Sequence, residues 1–300
     1  MVNLTEQSKG HILMLAFSFG IAGSFSLGGM VANIIDPFAL TASRFFLAAI
    51  LIGTMVCLST NLKWEYMQGA WRYFIAGGLM SLYFVLMFIA LQTTSAVSTS
   101  TVFTLTPLLS GFFGWILLRQ KMTRRMAFAL GIGAIGAVWV IFRADIQAIL
   151  QFKVGQGEII FFFGCLAHAF YTPFLRYANR GEPPQVFVLG MVSTGTLFLL
   201  VFGWNDIRTT DWQALPSIVW ITIVYITLIA TLLTFFAISY ASMRLPSAKV
   251  MAYTYLTPSW VILWEFALGR GLPSLPIMLG VATTIIALLL LLLRNDAIQN

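Results

Sequence analysis

The sequence predicts an all-α membrane protein of ten transmembrane helices, arranged as a 5+5 inverted-topology repeat around a central cavity. Three observations lead there. Charged residues make up 9% of the 300-residue chain and hydrophobic ones 59%, whereas a soluble domain carries about 25% charged residues. That is too little charge to cover a water-facing surface. The apolar residues also fall into ten continuous runs of roughly 20 residues, the length that crosses hydrocarbon as a helix. Finally, the tripeptide Leu105-Thr106-Pro107 recurs half a chain later as Leu256-Thr257-Pro258. Transmembrane barrels read as alternating segments of about ten residues; the unbroken runs here exclude them.

Each span carries its own signal. Span 1 (11–32) repeats Ala16, Gly20, Ser24, Gly28 and Ala32 at spacing four, the small-xxx-small pattern of close helix packing. Span 2 (38–59) follows Pro37 and holds a single arginine, Arg44. It pairs with a carboxylate or with helix carbonyls, and a structural role is the preferred reading. Span 3 (72–92) sets Met80, Tyr83 and Met87 on one face, suited to a flat apolar ligand or to plain packing. Span 4 (96–118) has a small polar face of Ser98, Thr101 and Thr104, continued by Gly111 and Gly114 and interrupted by Pro107. Span 5 (126–142) contains GIGAIG at 131–136. This fits the dinucleotide fingerprint, but it lacks a preceding strand and an acidic partner, so helix packing is the better reading.

Span 6 (156–178) carries GCLAHAFYTPF, with His168 and Tyr171 one turn apart on one face. His168 is either a histidine bonded to a neighbouring helix or a donor for a substrate carboxylate titrating near neutral pH. Span 7 (184–203) starts at Pro184 as span 2 starts after Pro37, and span 8 (217–240) is a long apolar run. Span 9 (247–268) bears two stripes, Tyr255, Pro258 and Glu265 on one side and Tyr253, Thr257, Trp260 and Trp264 on the other. Which one faces a cavity stays open. Span 10 (273–293) completes the set.

The repeat follows from spacing. Each Leu-Thr-Pro is followed twelve residues after its proline by an arginine, Arg119 or Arg270, and then by another apolar helix. Chance alone can produce a three-residue match; the concordant flanks argue otherwise. Five spans per half is an odd number, so the second copy enters the membrane inverted, as in many secondary transporters with a midplane substrate site. A proline inside a helix removes one backbone bond at about 3 kcal/mol. Here Pro107 and Pro258 free the carbonyls of Phe103 and Thr254, for Thr104, Thr106 or Thr257 hydroxyls, water or a ligand to satisfy. Both prolines are expected near the midplane on opposite sides of the cavity, as hinges that close one mouth. The half boundaries are placed at 1–147 and 148–300.

Charge sets the expected orientation. Cytoplasmic loops collect Lys and Arg, and with the N-terminus inside the inner segments hold Lys9, Lys63, Arg72, Arg119, Lys121, Arg124, Arg125, Arg176, Arg180, Arg244, Lys249 and Arg294. The outer segments hold only Arg143, Lys153, Arg208 and Arg270. Both termini are therefore expected in the cytoplasm. The polar start MVNLTEQSKG shows no cleavable signal. Cys57 and Cys165 both fall in spans, which makes a disulfide or metal site improbable.

Two stretches, ALQTTSAVSTSTVFTLTPLL at 90–109 and SMRLPSAKVMAYTYLTPSW at 242–260, resemble the paired signatures of the drug/metabolite transporter superfamily. PFALTASRFFLAAIL at 37–51 resembles its second helix, Arg44 included. The chain looks like two tandem EamA-type units and is most similar to bacterial aromatic amino-acid exporters. The resemblance implies a cavity lined by spans 1, 3, 4, 6, 8 and 9, with spans 5 and 10 peripheral, and export by alternating access in a bacterial inner membrane. Met191 stands where the second half would repeat Arg44, so that arginine is not duplicated.

The expected substrate is an amino acid or similar small metabolite, contacted by Tyr83, Ser98, Thr101, His168, Tyr171, Tyr253 and Trp260. No cofactor, metal, catalytic residue or nucleic-acid partner is expected, and the protein is expected to act as a monomer in the lipid bilayer. Glu158 and Glu265, the acidic residues at or in spans, sit near the outer side, which leaves proton coupling open. A multidrug exporter of organic cations on the same scaffold is the nearest rival, and a mid-span carboxylate is what it lacks. No Walker A motif, H-E-x-x-H or serine elbow supports an ATP-driven or enzymatic alternative.

Overall fold

Apolar segments without water satisfy their backbones most simply as helices, and the chain obeys. The computed structural model describes residues 6–59, 63–120, 122–151 and 153–292; Lys121 and Arg294, counted above among the inner cations, lie outside them. Among the described residues there are no strands, and nine helices are long and apolar enough to cross a membrane. They correspond to spans 1–8 and 10. Span 9 runs as Ser247–Ala252, a 3₁₀ turn Tyr253–Leu256, and Thr257–Ala267. It is long enough to cross, but Lys249, Tyr253, Thr254, Tyr255, Thr257 and Glu265 dilute its apolar character.

Local chemistry explains the helix starts. Pro37 and Pro184 each occupy the first residue of a helix, where a missing N–H goes unnoticed. Asp36 Oδ1 accepts from Phe38 N at 2.7 Å, and Ser95 and Thr123 cap the next starts by accepting from Ser98 N and Met126 N. The loops gather at two ends. At the acidic end, segments 34–36 and 206–216 line a cleft of about 390 Å³ bearing Asp36, Asp206 and Asp211. At the basic end, Arg72 pairs with Glu182 and donates to Ala178 O at 2.6 Å, both charges 1% exposed. Arg125 there ties span 5 to the end of span 10 through Leu290 O at 2.8 Å.

With little hydrophobic drive between helices in lipid, close contact at small residues holds the bundle. A Cβ on Gly77 of span 3 would lie 2.6 Å from Gly195 N and 2.7 Å from Met191 O of span 7, so the two backbones touch. Thr194 of span 7 adds a bond to Tyr73 O at 2.6 Å. The stripe on span 1 works the same way: Gly20 faces Ile229 of span 8 and accepts from Tyr225 Oη at 2.9 Å, while Gly28 faces Phe88 of span 3. In GIGAIG, Gly133 receives the Tyr255 ring and Gly136 lies against the Gly280 carbonyl. Spans 5 and 10 thus form, with the start of span 9, a small core of their own around Leu130, Tyr255 and Leu288.

Two outcomes test this packing. Gly133→Ala should lower the thermal midpoint of the detergent-solubilised protein, because its Cβ would meet Tyr255 at 2.3 Å. Gly131→Ala, with nothing within 4 Å, should be neutral or gain up to about 1 kcal/mol of helix propensity. At the basic end, Arg72→Met strands Glu182 and should destabilise by about 3–5 kcal/mol, with most of the loss recovered in the double variant Arg72→Met/Glu182→Met. Unfolding followed by tryptophan fluorescence reads both.

Candidate functional site

The spans do not run unbroken through mid-depth. Span 4 divides into Ala96–Phe103 and Thr106–Leu118, with a turn at 104–105. Span 9 divides at its 3₁₀ turn just before Thr257, and span 8 contains a π-helix, Leu228–Leu233, between Ser217–Thr227 and Thr234–Ser242. Both Leu-Thr-Pro motifs therefore sit at helix restarts, with the proline early in the new helix where its absent N–H is harmless. Thr106 Oγ1 donates to Phe103 O at 2.7 Å, the carbonyl that Pro107 leaves free. Thr257 Oγ1 makes no such bond and is buried without a partner. Thr106 of the first motif lies 3.2 Å, hydroxyl to hydroxyl, from Thr254, two residues before the second motif.

Around these breaks lies an aromatic cluster. The ring of His168, at the middle of span 6, stands 4.6 Å from Tyr83 and 5.0 Å from Phe103, centroid to centroid. Tyr171 is 6.4 Å from His168 and 6.4 Å from Phe235 of span 8. Phe235 in turn meets Phe84 at 6.2 Å and Phe45 at 6.3 Å. Tyr83, His168 and Tyr171 are all buried. Inside this apolar wall, His168 Nδ1 has no hydrogen-bond partner, and the hydroxyls of Tyr171 and Ser239 have only each other.

Arg44 completes the cluster. Its side chain is fully buried, with the guanidinium carbon 3.5 Å above the Phe84 ring centroid. Nε donates to Thr231 Oγ1 and Nη2 to Ala230 O, both in the π-helix, while Nη1 has no partner. Thr231 Oγ1 itself reaches Ile226 O five residues back at 2.7 Å, which closes the wide turn. This element and the rings of Phe84, Phe103 and Phe235 escaped sequence reasoning. The one available signal was Thr227, Thr231 and Thr234 in the middle of an otherwise apolar span.

The remaining expected contacts lie elsewhere. Ser98 and Thr94 donate to Glu158 Oε1 at 2.7 and 2.6 Å near the acidic end. Thr101 bonds back to Val97 O within its own helix. Tyr253 Oη meets His11 Nδ1 at 2.8 Å, and Trp260 Nε1 donates to Ser18 Oγ at 3.2 Å. Trp264 stacks edge-on with Tyr225. The stripe of Tyr253, Trp260 and Trp264 thus faces spans 1 and 8, and Tyr255 faces spans 5 and 10.

A multi-pass helical membrane protein with broken helices and a buried polar–aromatic centre is the class that this geometry defines. The EamA-like transporter family matches residues 8–142 and again 155–293, and the chain belongs to that family. It is 23% identical to the uncharacterized transporter YyaM of Bacillus subtilis over 282 residues, covering 91% of this chain and 92% of that one. An uncharacterized transporter of Archaeoglobus fulgidus is 22% identical over 266 residues, 86% and 89% of the two chains. A solved crystal structure shares the fold, with a TM-score of 0.69 over 95% of both chains at 17% identity. Neither relative's name specifies a substrate.

The asymmetry of the two breaks is measurable. Thr106→Val removes the donor to a buried carbonyl and should destabilise by about 1–3 kcal/mol. Thr257→Val removes a hydroxyl without a partner and should leave the thermal midpoint unchanged or raise it.

Proposed function

We propose that the protein is a secondary exporter of small amphipathic metabolites, aromatic and other amino acids foremost. In this reading ten helices form two inverted five-helix halves, 1–147 and 148–300, that rock around a mid-depth site in a bacterial cytoplasmic membrane. The basic end faces the cytoplasm, together with both termini. Support for the halves comes from the family match falling twice, once on each side of residues 143–154, and from the helix restarts at both Leu-Thr-Pro motifs. Pro107 and Pro258 serve as the flexible points, since a restarted helix bends more easily than a continuous one.

The observation that carries the substrate assignment is the cluster of His168, Tyr171 and Tyr83. It offers stacking surface together with a buried ring nitrogen, His168 Nδ1, that has nothing to bond, and the Tyr171 hydroxyl, whose one neighbour is Ser239. An amphipathic zwitterion supplies a ring for the wall and polar groups for those atoms, and leaving them unpaired is unfavourable. The organic-cation reading needs a carboxylate at this depth. Of the acidic side chains placed in the spans, Glu158 is held by Thr94 and Ser98, and Glu265 pairs with Arg270 at 2.9 Å through Oε2, its Oε1 buried without a partner away from this cluster.

Reconstituted into liposomes, the protein should carry labelled phenylalanine, tyrosine or tryptophan down a gradient with saturable kinetics. His168→Ala and Tyr171→Ala should each reduce that flux about tenfold or more, the equivalent of ~1.4 kcal/mol, while the elution profile remains that of folded protein. Transport of organic cations with no amino-acid flux would overturn the proposal, and wild-type flux in both variants would assign those residues to packing.

A further inference from the structure

We propose that Arg44 is the anion-binding residue of the transport site and receives the carboxylate of the substrate. The inference rests on the exporter reading and adds to it the chemical group that the site selects. A guanidinium stays protonated under all physiological conditions and carries five N–H donors. Arg44 is fully buried, and everything that it touches is neutral: the Phe84 ring, the Thr231 hydroxyl and the Ala230 carbonyl. Among the described residues no carboxylate pairs with it; Glu158, Glu182 and Glu265 are held by Thr94 and Ser98, by Arg72 and by Arg270. A buried charge without a counter-ion is unfavourable unless an anion arrives to compensate it.

The guanidinium keeps a donor for that anion. Nη1 is unbonded, and the planar fork suits a carboxylate held by two parallel bonds. Anchoring the π-helix uses Nε and one Nη2 hydrogen and leaves Nη1 free for a further acceptor. The π-helix is itself the kind of helix irregularity found at functional sites. Phe84 and Phe235 connect the guanidinium to the wall that holds Tyr171, so a carboxylate on Arg44 lies beside rings able to take an aromatic side chain. Met191 in place of a second arginine makes the site one-sided, with a single strong charge.

Flux of three labelled probes into proteoliposomes tests this: L-phenylalanine, phenylacetate, which keeps the carboxylate and lacks the ammonium, and phenethylamine, which keeps the ammonium and lacks the carboxylate. The wild-type protein should carry the carboxylates about tenfold or more faster than phenethylamine, the range expected for a charge-assisted hydrogen bond. Arg44→Gln should bring the carboxylates down to the phenethylamine rate and leave that rate unchanged. Carriage of phenylacetate but not phenylalanine, lost in Arg44→Gln, would overturn the amino-acid reading and support the anion site. Equal wild-type flux of phenylalanine and phenethylamine, or preserved discrimination in a folded Arg44→Gln variant, would overturn the anion site and leave Arg44 as a strut for the π-helix. If Arg44→Gln does not fold, Arg44→Lys decides: it keeps the charge without the fork and should weaken carboxylate flux selectively, whereas equal loss for all probes overturns the proposal.

Discussion

In a bilayer interior, an N–H or C=O that is not bonded within the protein has no water to turn to. Every departure from regular helix in this chain is governed by that requirement. The turn at 104–105 is tolerated because Thr106 Oγ1 takes the Phe103 carbonyl that Pro107 abandons. The π-helix at 228–233 is tolerated because Thr231, Thr234 and Arg44 bond its carbonyls and hydroxyls. The hydroxyls at the breaks, those of Thr104, Thr106, Thr231 and Thr254, are all buried in protein.

Enclosure of this kind needs helices that approach closely, which in turn needs small residues. Gly77 lets spans 3 and 7 touch backbone to backbone, Gly20 and Gly28 seat span 1 against spans 8 and 3, and Gly136 seats span 5 on Gly280 of span 10. Larger side chains at those positions would separate the helices, and the mid-depth cluster would lose its walls. The ends are fixed differently, by Arg72 with Glu182 at one and by Thr94 and Ser98 with Glu158 at the other. Polar staples near the ends and small-residue contacts in the middle divide the task.

Within that frame the centre combines opposites. Phe84, Phe103 and Phe235 exclude water, while Arg44 and His168 keep unsatisfied nitrogens among them. Such an arrangement weakens a purely structural core and suits a site whose last partner is a ligand.

Nine of the expected spans and their order, the small-residue stripe of span 1, the packing role of GIGAIG and the paired Leu-Thr-Pro motifs were legible from residue spacing. They depend on local periodicity, and hydrocarbon thickness leaves few other ways to arrange such runs. His168, Tyr171 and Tyr83 were recognisable as polar residues in apolar spans, a signal that marks candidates without saying which ones meet. Ser98 and Trp260 carried the same signal, and the fold sent the first to Glu158 and the second to Ser18. Arg44 was visible, but its reach to a π-helix 187 residues away was not, because a long flexible side chain chooses among neighbours that only the packed bundle supplies. The sequence by itself determined where nine membrane-length helices run among the described residues and that their small-residue stripes pack tightly, since one-dimensional spacing encodes both. Tertiary structure alone decided which polar groups are satisfied and which are left waiting, since hydrogen-bond satisfaction is a property of contacts between helices far apart in the chain.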